Sequence, residues 1–148
     1  MKLKILLFAA CSMATVLANA QDNAIDLAGT TWKLVAQNGE KTNPLTGQYK
    51  LYTQSHFFWY WVDNDGTVRN GAGGTYTCAG NICTEHVSVA LPPVQHIRGK
   101  KNVITVTLSG NQMHQYGVME GLAPFNELWE KVEEANSPKP ERKKKNVL

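Results

Sequence analysis

Residues 75–86 of the chain read Thr-Tyr-Thr-Cys-Ala-Gly-Asn-Ile-Cys-Thr-Glu-His. The two arms of this stretch favour β-strands, and Gly80-Asn81 between them suits a two-residue type II′ turn. Cys78 then lies opposite Cys83 in a non-hydrogen-bonded pair, where α-carbons about 4.5 Å apart are within reach of a disulfide. The sequence therefore predicts an antiparallel hairpin with a cross-strand disulfide. A redox or metal-binding dithiol is the alternative, although four residues rather than two separate the cysteines.

The rest of the chain is also a series of short strands separated by turns. Thr30 to Gln37 alternates between two faces, which is the period of a strand, and glycines at 71, 73 and 74 predict a bulge or a sharp bend. The expected strands are residues 30–37, 49–62, 67–78, 82–90, 103–108, 112–118 and 121–132. No segment has sustained helical periodicity, so we predict an all-β, up-and-down antiparallel barrel of seven or eight strands.

Residues 1–20 have the organisation of a signal peptide. Lys2 and Lys4 flank the start of an apolar run, and Ala18-Asn19-Ala20 fits an A-x-A cleavage site. The run is too short to cross a bilayer, and no later stretch reaches the roughly 20 apolar residues that a spanning helix needs. We therefore expect no transmembrane segment and a secreted or periplasmic protein. An oxidising compartment also suits the expected disulfide.

Residues 137–148 differ in composition from the chain that precedes them. Pro138 and Pro140 are followed by basic side chains from Arg142 to Lys145, and such a segment cannot bury apolar area, so we predict a disordered basic tail. Residues 21–136 then form the single barrel domain. The formal net charge is only +3, much of it from the two terminal segments, so we expect no nucleic-acid partner. Attachment of the tail to an anionic surface is the alternative to a simply solvated one.

Several short motifs resemble a known group of proteins. Residues 27–35 read Leu-Ala-Gly-Thr-Thr-Trp-Lys-Leu-Val, which is similar to the opening of lipocalin-like proteins of the calycin group. Residues 57–59, 73–76, 84–87, 115–117 and 127–132 follow in the order seen in a secreted lipocalin-like domain family of uncharacterised function from Gram-negative bacteria. The resemblance implies an eight-stranded barrel with a cavity, and it implies no particular ligand or reaction. One departure is that Gly29 and Trp32 are three residues apart, where lipocalins have two.

Residues 56–62, His-Phe-Phe-Trp-Tyr-Trp-Val, are apolar on both faces of a strand. One face must point into the barrel, and an eight-stranded barrel is only wide enough to be filled by its own side chains or to hold one small ligand. The other face needs cover, because a large exposed aromatic patch usually marks an interface. Self-association through Trp59 and Trp61 is therefore a further hypothesis.

Ligand-binding candidates come from both strand faces, because alternation alone does not fix which face points inward. One or two polar groups in an apolar pocket typically orient a ligand's head group. A carboxylate at Glu85 would need a hydrogen-bond partner, for which Tyr76, His114, Gln115 and Tyr116 are suitable. The predicted ligand-binding residues are Phe58, Tyr60, Tyr76, Glu85, His86, His114 and Tyr116.

Dedicated metal and catalytic motifs are not recognisable in the sequence. The histidines at 56, 86, 96 and 114 lack the short spacings of a zinc motif, so we expect no metal and no cofactor. Glu85 and His86 point in opposite directions along a strand and cannot form an adjacent acid/base pair. We therefore predict binding of a small apolar or amphipathic molecule. The alternatives are a self-filled barrel used for protein or envelope contacts, and a small isomerase or hydrolase that uses Glu85 and a histidine.

Overall fold

The computed structural model describes residues 24–43 and 46–133. The predicted signal peptide, residues 1–20, and the predicted tail, residues 137–148, lie outside the described residues. Within the described ranges the chain is almost entirely β-structure. Its elements are β1 (Thr30–Gln37), β2 (Glu40–Lys41), β3 (Gly47–Tyr52), β4 (His56–Val62), β5 (Val68–Ala79), β6 (Ile82–Ala90), a 3₁₀ helix (Pro92–Ile97), β7 (Lys101–Ser109), β8 (Gln112–Met119) and β9 (Phe125–Lys131).

The strands form one antiparallel sheet that closes on itself. From β3 to β9 each strand pairs with the next in the chain, and β1 pairs with β3 on one side and with β9 on the other. The two-residue strand β2 is an addition to β1. Eight strands therefore make a closed up-and-down barrel without an open edge, which confirms the predicted fold class.

The run at 49–62 is divided in two, which the sequence analysis did not predict. A tight turn at 53–55 separates β3 from β4, because the Oγ1 of Thr53 accepts a hydrogen bond from the backbone N–H of His56 at 3.1 Å. The backbone N–H of Thr53 also donates to the carbonyl of His56 at 2.8 Å. The Thr53 side chain hydrogen-bonds the backbone of the turn, and such local bonds compete with the hydrogen bonds of a continuous strand. A threonine within a β-rich run therefore marks a turn here.

The cysteine hairpin has the predicted geometry. Ala79 lies opposite Ile82 and Cys78 lies opposite Cys83 in the ladder between β5 and β6. The turn between them begins at Gly80 with a φ of 57°, a conformation that glycine adopts without steric cost. Cys78 and Cys83 form a disulfide with their α-carbons 4.1 Å apart, so the predicted disulfide is confirmed.

The two ends of the barrel differ. At the end that carries the cysteine hairpin, the segment before β1 crosses the opening, and Leu27 is buried there. The N–H of Ile25 donates to the carbonyl of Gly80 at 2.9 Å, and the N–H of Gly29 donates to the carbonyl of Tyr52 at 2.9 Å. We call this the closed end. The opposite end carries the 3₁₀ helix and the turn at 120–124 between β8 and β9, and we call it the open end.

Glycines on β5 determine which face of β4 points outward. Gly71 and Gly73 leave a strip of bare backbone on the outer face, and the ring of Phe58 lies against it. A Cβ at Gly73 would lie 2.6 Å from Cδ2 of Phe58 and 2.7 Å from the carbonyl oxygen of Phe57, so no larger residue fits. The register of β5 against β6 also shifts between Gly73 and Gly74, which confirms the predicted bulge. The alternate residues of β4, including Trp59 and Trp61, therefore point into the barrel.

The closed half of the barrel is filled by apolar side chains. They come from the segment before β1 and from β1, β7, β8 and β9, and on β7 and β8 they alternate with exposed residues. Trp32 belongs to this core, and its indole N–H donates to Oγ1 of Thr30 at 2.7 Å. The fully or nearly fully buried members are Leu27, Trp32, Leu34, Ile104, Val106, Met113 and Trp129.

Reduction of the disulfide tests how much the hairpin contributes to stability. The bond closes a loop with a sequence separation of 5, and the loss of unfolded-chain entropy from so short a loop is worth about 2 kcal/mol. We expect a reducing agent to lower the free energy of unfolding by about that amount, measured by urea denaturation. The Cys78→Ala/Cys83→Ala variant is the control, since its stability should not respond to the reducing agent. An unchanged wild-type stability on reduction would contradict the expectation.

Candidate functional site

A cavity of about 290 Å³ lies inside the open end of the barrel. Its walls are mainly aromatic and aliphatic, and its floor is polar. The apolar lining comes from β4, β8, β9 and the 3₁₀ helix and includes Trp59, Trp61, Val94, Ile97, Met119 and Phe125. The polar lining includes Gln37, Gln48, Lys50, Asn70, Glu85, Asn102 and Glu127, with His96 at the rim.

An ion pair spans the barrel beneath this cavity. Lys50 on β3 and Glu85 on β6 are 3% and 2% exposed, and Nζ of Lys50 lies 3.1 Å from Oε1 of Glu85. Two charges removed from water are tolerated only when further hydrogen bonds satisfy their remaining donors and acceptors. The surrounding side chains provide those bonds.

Tyr52, Asn102 and Gln115 complete a polar layer with the ion pair. The hydroxyl of Tyr52 donates to Oε1 of Glu85 at 2.8 Å, and Nδ2 of Asn102 donates to Oε2 at 3.1 Å. Gln115 closes the network, because its Oε1 accepts from Lys50 at 3.1 Å and its Nε2 donates to the Tyr52 hydroxyl at 3.0 Å. We use the name polar layer for these five residues, and it separates the filled closed half from the cavity.

Aromatic rings also surround the ammonium of Lys50. Its Nζ lies 5.5 Å from the ring of Trp129 and 5.9 Å from the rings of Tyr52 and Phe57. The negative faces of aromatic rings attract a cation, and more so where water is excluded. The rings therefore add to the stabilisation that Glu85 gives to the buried charge.

Burial changes the acidity of two groups in this region. It raises the pKa of Tyr52 well above the usual value, and the negative charge of Glu85 raises it further, so Tyr52 keeps its proton and remains a donor to Glu85. Burial also raises the pKa of Glu127, an effect that the positive charge of Lys50 partly offsets. The carboxylate of Glu127 accepts hydrogen bonds from Gln37 at 3.2 Å and from the indole N–H of Trp129 at 3.1 Å.

Two residues of the cavity lining carry an amide oxygen without a hydrogen-bond partner among the described residues. The two oxygens are Oδ1 of Asn70 and Oδ1 of Asn102, and both are buried. The orientation of the Asn102 amide is fixed, because its Nδ2 must face the carboxylate of Glu85, which can only accept. A buried acceptor without a donor costs about 1–3 kcal/mol, and such atoms in a native protein often mark a functional site.

The structure separates the predicted ligand-binding residues into two groups. Glu85 lies inside, in the polar layer and at the floor of the cavity. Tyr76 is also buried, but it lies toward the closed end, where its hydroxyl donates to the carbonyl of Thr53 at 2.9 Å. Tyr76 packs edge-on against Tyr52 with ring centroids 4.9 Å apart, so it supports the floor from below.

The other predicted ligand-binding residues point away from the barrel interior. His86, His114 and Tyr116 are exposed on the outer face, Tyr116 at 55%, because Glu85 and Gln115 occupy the inward positions of β6 and β8. Phe58 and Tyr60 are half-buried on the outer face of β4 and stack with ring centroids 6.1 Å apart. These five residues therefore do not line this cavity.

Self-association through Trp59 and Trp61 would need both side chains on the outer face of β4, but they lie on its inner face. Both line the cavity, so the exterior aromatic surface of β4 consists of Phe58 and Tyr60 instead. Tyr60 stacks on Tyr49 of the neighbouring strand with ring centroids 5.5 Å apart. The outer aromatic rings thus have cover within the chain itself.

Lys50, Tyr52 and Asn102 of the polar layer were not predicted from the sequence. In β3, Gly-Gln-Tyr-Lys-Leu-Tyr, alternation would place Tyr49 and Leu51 inside and Lys50 outside, whereas Lys50 is the buried residue. Asn102 was missed because a single amide next to a β-branched run resembles the end of a strand. Gly71 and Gly73, two positions apart on one face of β5, were the available signal in the sequence. The ring of Phe58 on β4 covers this face of β5, so the opposite face must point inward.

Histidine chemistry with Glu85 is not supported by the geometry. Every hydrogen-bond partner of the Glu85 carboxylate is a lysine, a tyrosine or an asparagine, and His86 and His114 are on the outer surface. In residues 24–43 and 46–133, no three His, Cys, Asp or Glu side chains are grouped as a metal site requires. The same ranges contain no helix with the length and apolar character needed to cross a membrane.

Comparison with known protein families, with curated proteins and with solved structures found no match to this chain.

Removal of Lys50 tests the ion pair. Lys50→Met leaves Glu85 as an uncompensated buried charge, and we expect the free energy of unfolding at neutral pH to fall by about 3–5 kcal/mol. The double variant Lys50→Met/Glu85→Gln removes both charges and keeps an acceptor for Tyr52, so it should recover most of that loss. A double-mutant cycle measured by urea denaturation gives the coupling. Additive losses in the double variant would show that the two residues are not coupled.

Replacement of Glu127 tests the effect of its raised pKa. A carboxyl whose pKa is raised by folding stabilises the folded state while it is protonated, and this contribution is lost as the pH rises through the folded pKa. Relative to wild type, Glu127→Gln should therefore gain stability as the pH rises from about 4.3, the usual value for glutamate, toward neutrality. Urea denaturation over a pH series measures the trend. Glu130→Gln, on the exposed face of the same strand, is the control, and a trend of opposite sign would refute the assignment.

Proposed function

We propose that this chain is a secreted or periplasmic binding protein whose barrel holds a small, largely apolar molecule at its open end and does not transform it. The observation that carries the proposal is the cavity of about 290 Å³ with aromatic walls over a buried polar floor. Pockets that bind small molecules typically combine a mostly apolar lining with a few fixed polar groups. The resemblance to lipocalin-like proteins favours the same function.

The division of the barrel supports binding over a self-filled interior. Side chains such as Met113 and Trp129 fill the closed half, and both are fully buried. Above the polar layer, Trp59 and Trp61 form walls around empty space instead of packing across it. The cavity of about 290 Å³ lies just below the usual range of roughly 300–1,000 Å³ for ligand pockets, which favours a molecule of small size.

The state of Glu85 supports binding over catalysis. A general base needs a lone pair within reach of the proton that it removes. The carboxylate of Glu85 is already bound by Lys50, Tyr52 and Asn102. It is better suited to hold the floor in place than to exchange protons with a substrate.

The disulfide between Cys78 and Cys83 supports an extracytoplasmic location. Disulfides form and persist in secreted and periplasmic proteins and are rare in the cytosol. Mass spectrometry of the N-terminus of the exported protein tests cleavage after Ala20.

Native mass spectrometry and fluorescence test the proposed binding. A molecule bound in the cavity should give a non-covalent excess mass that is lost on denaturation, or ligands added to the empty protein should quench tryptophan fluorescence. We expect Trp59→Phe/Trp61→Phe to lose the ligand-dependent quenching. Trp32→Phe is the matched control and should keep it, because Trp32 lies outside the cavity lining. Quenching that depends on Trp32 instead would place the ligand elsewhere and contradict the proposal.

A further inference from the structure

Some hydrogen-bonding groups around the cavity are already paired within the protein, and others are not. Several polar hydrogens in the lining are already used within the protein, since Lys50 donates to Glu85 and Gln115, and Gln37 donates to Glu127. The Nδ2 of Asn102 is used in the same way. The donors on these groups are therefore committed.

Two acceptors of the lining, in contrast, are unpaired. Oδ1 of Asn102 and Oδ1 of Asn70 are buried and have no donor, and Asn102 is 4% exposed. Because Asn102 cannot turn its oxygen toward Glu85 without placing two acceptors in contact, a flip of the amide does not remove the unpaired oxygen. A molecule that brings N–H or O–H groups would relieve the cost of these unpaired atoms, with a small rotation of the amides, and a molecule that brings only acceptors would not.

The charges of the lining favour a positively charged ligand. Lys50 neutralises Glu85 across their 3.1 Å contact, while the hydrogen bonds that Glu127, the second carboxyl of the lining, accepts come from the neutral side chains of Gln37 and Trp129. When both carboxyls are ionised, the cavity carries one positive and two negative side chains. The faces of Trp59 and Trp61 also favour a positive charge over a negative one.

We propose that the ligand of this cavity is an organic amine, in which a small apolar or aromatic body carries an ammonium group that donates to Asn70, Asn102 and Glu127. The inference rests on the proposed function and makes it narrower. It disfavours carboxylate ligands such as fatty acids, because a carboxylate would face Glu85 and Glu127 and would offer no hydrogen to the unpaired amide oxygens. It also ranks a neutral alcohol, which has a donor but no charge, between the amine and the carboxylate.

Four probes with the same aromatic body separate the effect of charge from the effect of hydrogen bonding. Phenethylamine, phenethyl alcohol, phenylacetate and ethylbenzene differ in the charge and hydrogen-bonding capacity of one group. Their affinities for the purified protein are measured by isothermal titration calorimetry at neutral pH and low salt. We expect the amine to bind roughly tenfold more tightly than the alcohol, the equivalent of one hydrogen bond to a charged group, and phenylacetate to bind most weakly.

Two variants assign the preference to residues. Glu127→Gln should lower the affinity for the amine toward that of the alcohol and leave the affinity for the alcohol nearly unchanged. Asn70→Leu should weaken both the amine and the alcohol without weakening ethylbenzene. Asn126→Leu, an equivalent replacement at an exposed position of β9, should change none of the affinities. If Asn70 were only a structural residue, its replacement would alter stability but not the ranking of the probes.

The outcomes distinguish this inference from the proposed function. Binding of phenylacetate as tightly as the amine, or equal binding of all four probes, would keep the cavity as a binding site and overturn the amine preference. Binding of none of the four would overturn both. An amine preference that persists in both Glu127→Gln and Asn70→Leu would place the amine outside the cavity and would also overturn the inference.

Discussion

The buried ion pair between Lys50 and Glu85 is the constraint on which the rest of the barrel interior depends. Each of the two charges loses several kcal/mol of hydration on burial, so the strands around them must bring compensating groups to fixed positions. Tyr52, Asn102 and Gln115 meet that requirement with bonds of 2.8–3.1 Å. Because side chains alternate along a strand, the inward position of these five residues sets the orientation of every other residue on β3, β6, β7 and β8.

The polar layer also explains why side chains fill one half of the barrel and the other half contains a cavity. Below it, Leu27 and Trp32 close the end of the barrel with apolar packing. Above it, the ring of Phe125 lies against the bare backbone of Gly117, and Phe125 lines the cavity together with Trp59 and Trp61. A rigid, hydrogen-bonded floor beneath an apolar chamber gives a site in which polar groups are fixed before a ligand arrives, and such preorganisation lowers the entropic cost of binding.

The ease of prediction differed between the hairpin and the site for a physical reason. The positions of Cys78, Gly80 and Cys83 followed from turn chemistry, which is local, and the prediction was confirmed to the residue. The inward face of β8 did not follow, because Tyr116 and Val118 on one face look as apolar as Met113 and Met119 on the other. Where both faces of a strand are apolar, burial is decided by neighbouring strands and not by the strand itself.

The all-β class, the up-and-down order of the strands and the disulfide can be predicted from the sequence, since these depend on turns, on alternation and on residues close together in the chain. The burial of Lys50, the position of Trp59 and Trp61 at a cavity and the outward orientation of His86 and His114 depend on contacts between distant strands. Lys50 and Gln115 are separated by 65 positions, and no local pattern shows that their side chains meet. Their burial is favourable only because closure of the barrel through β1 and β9 brings the partner strands together.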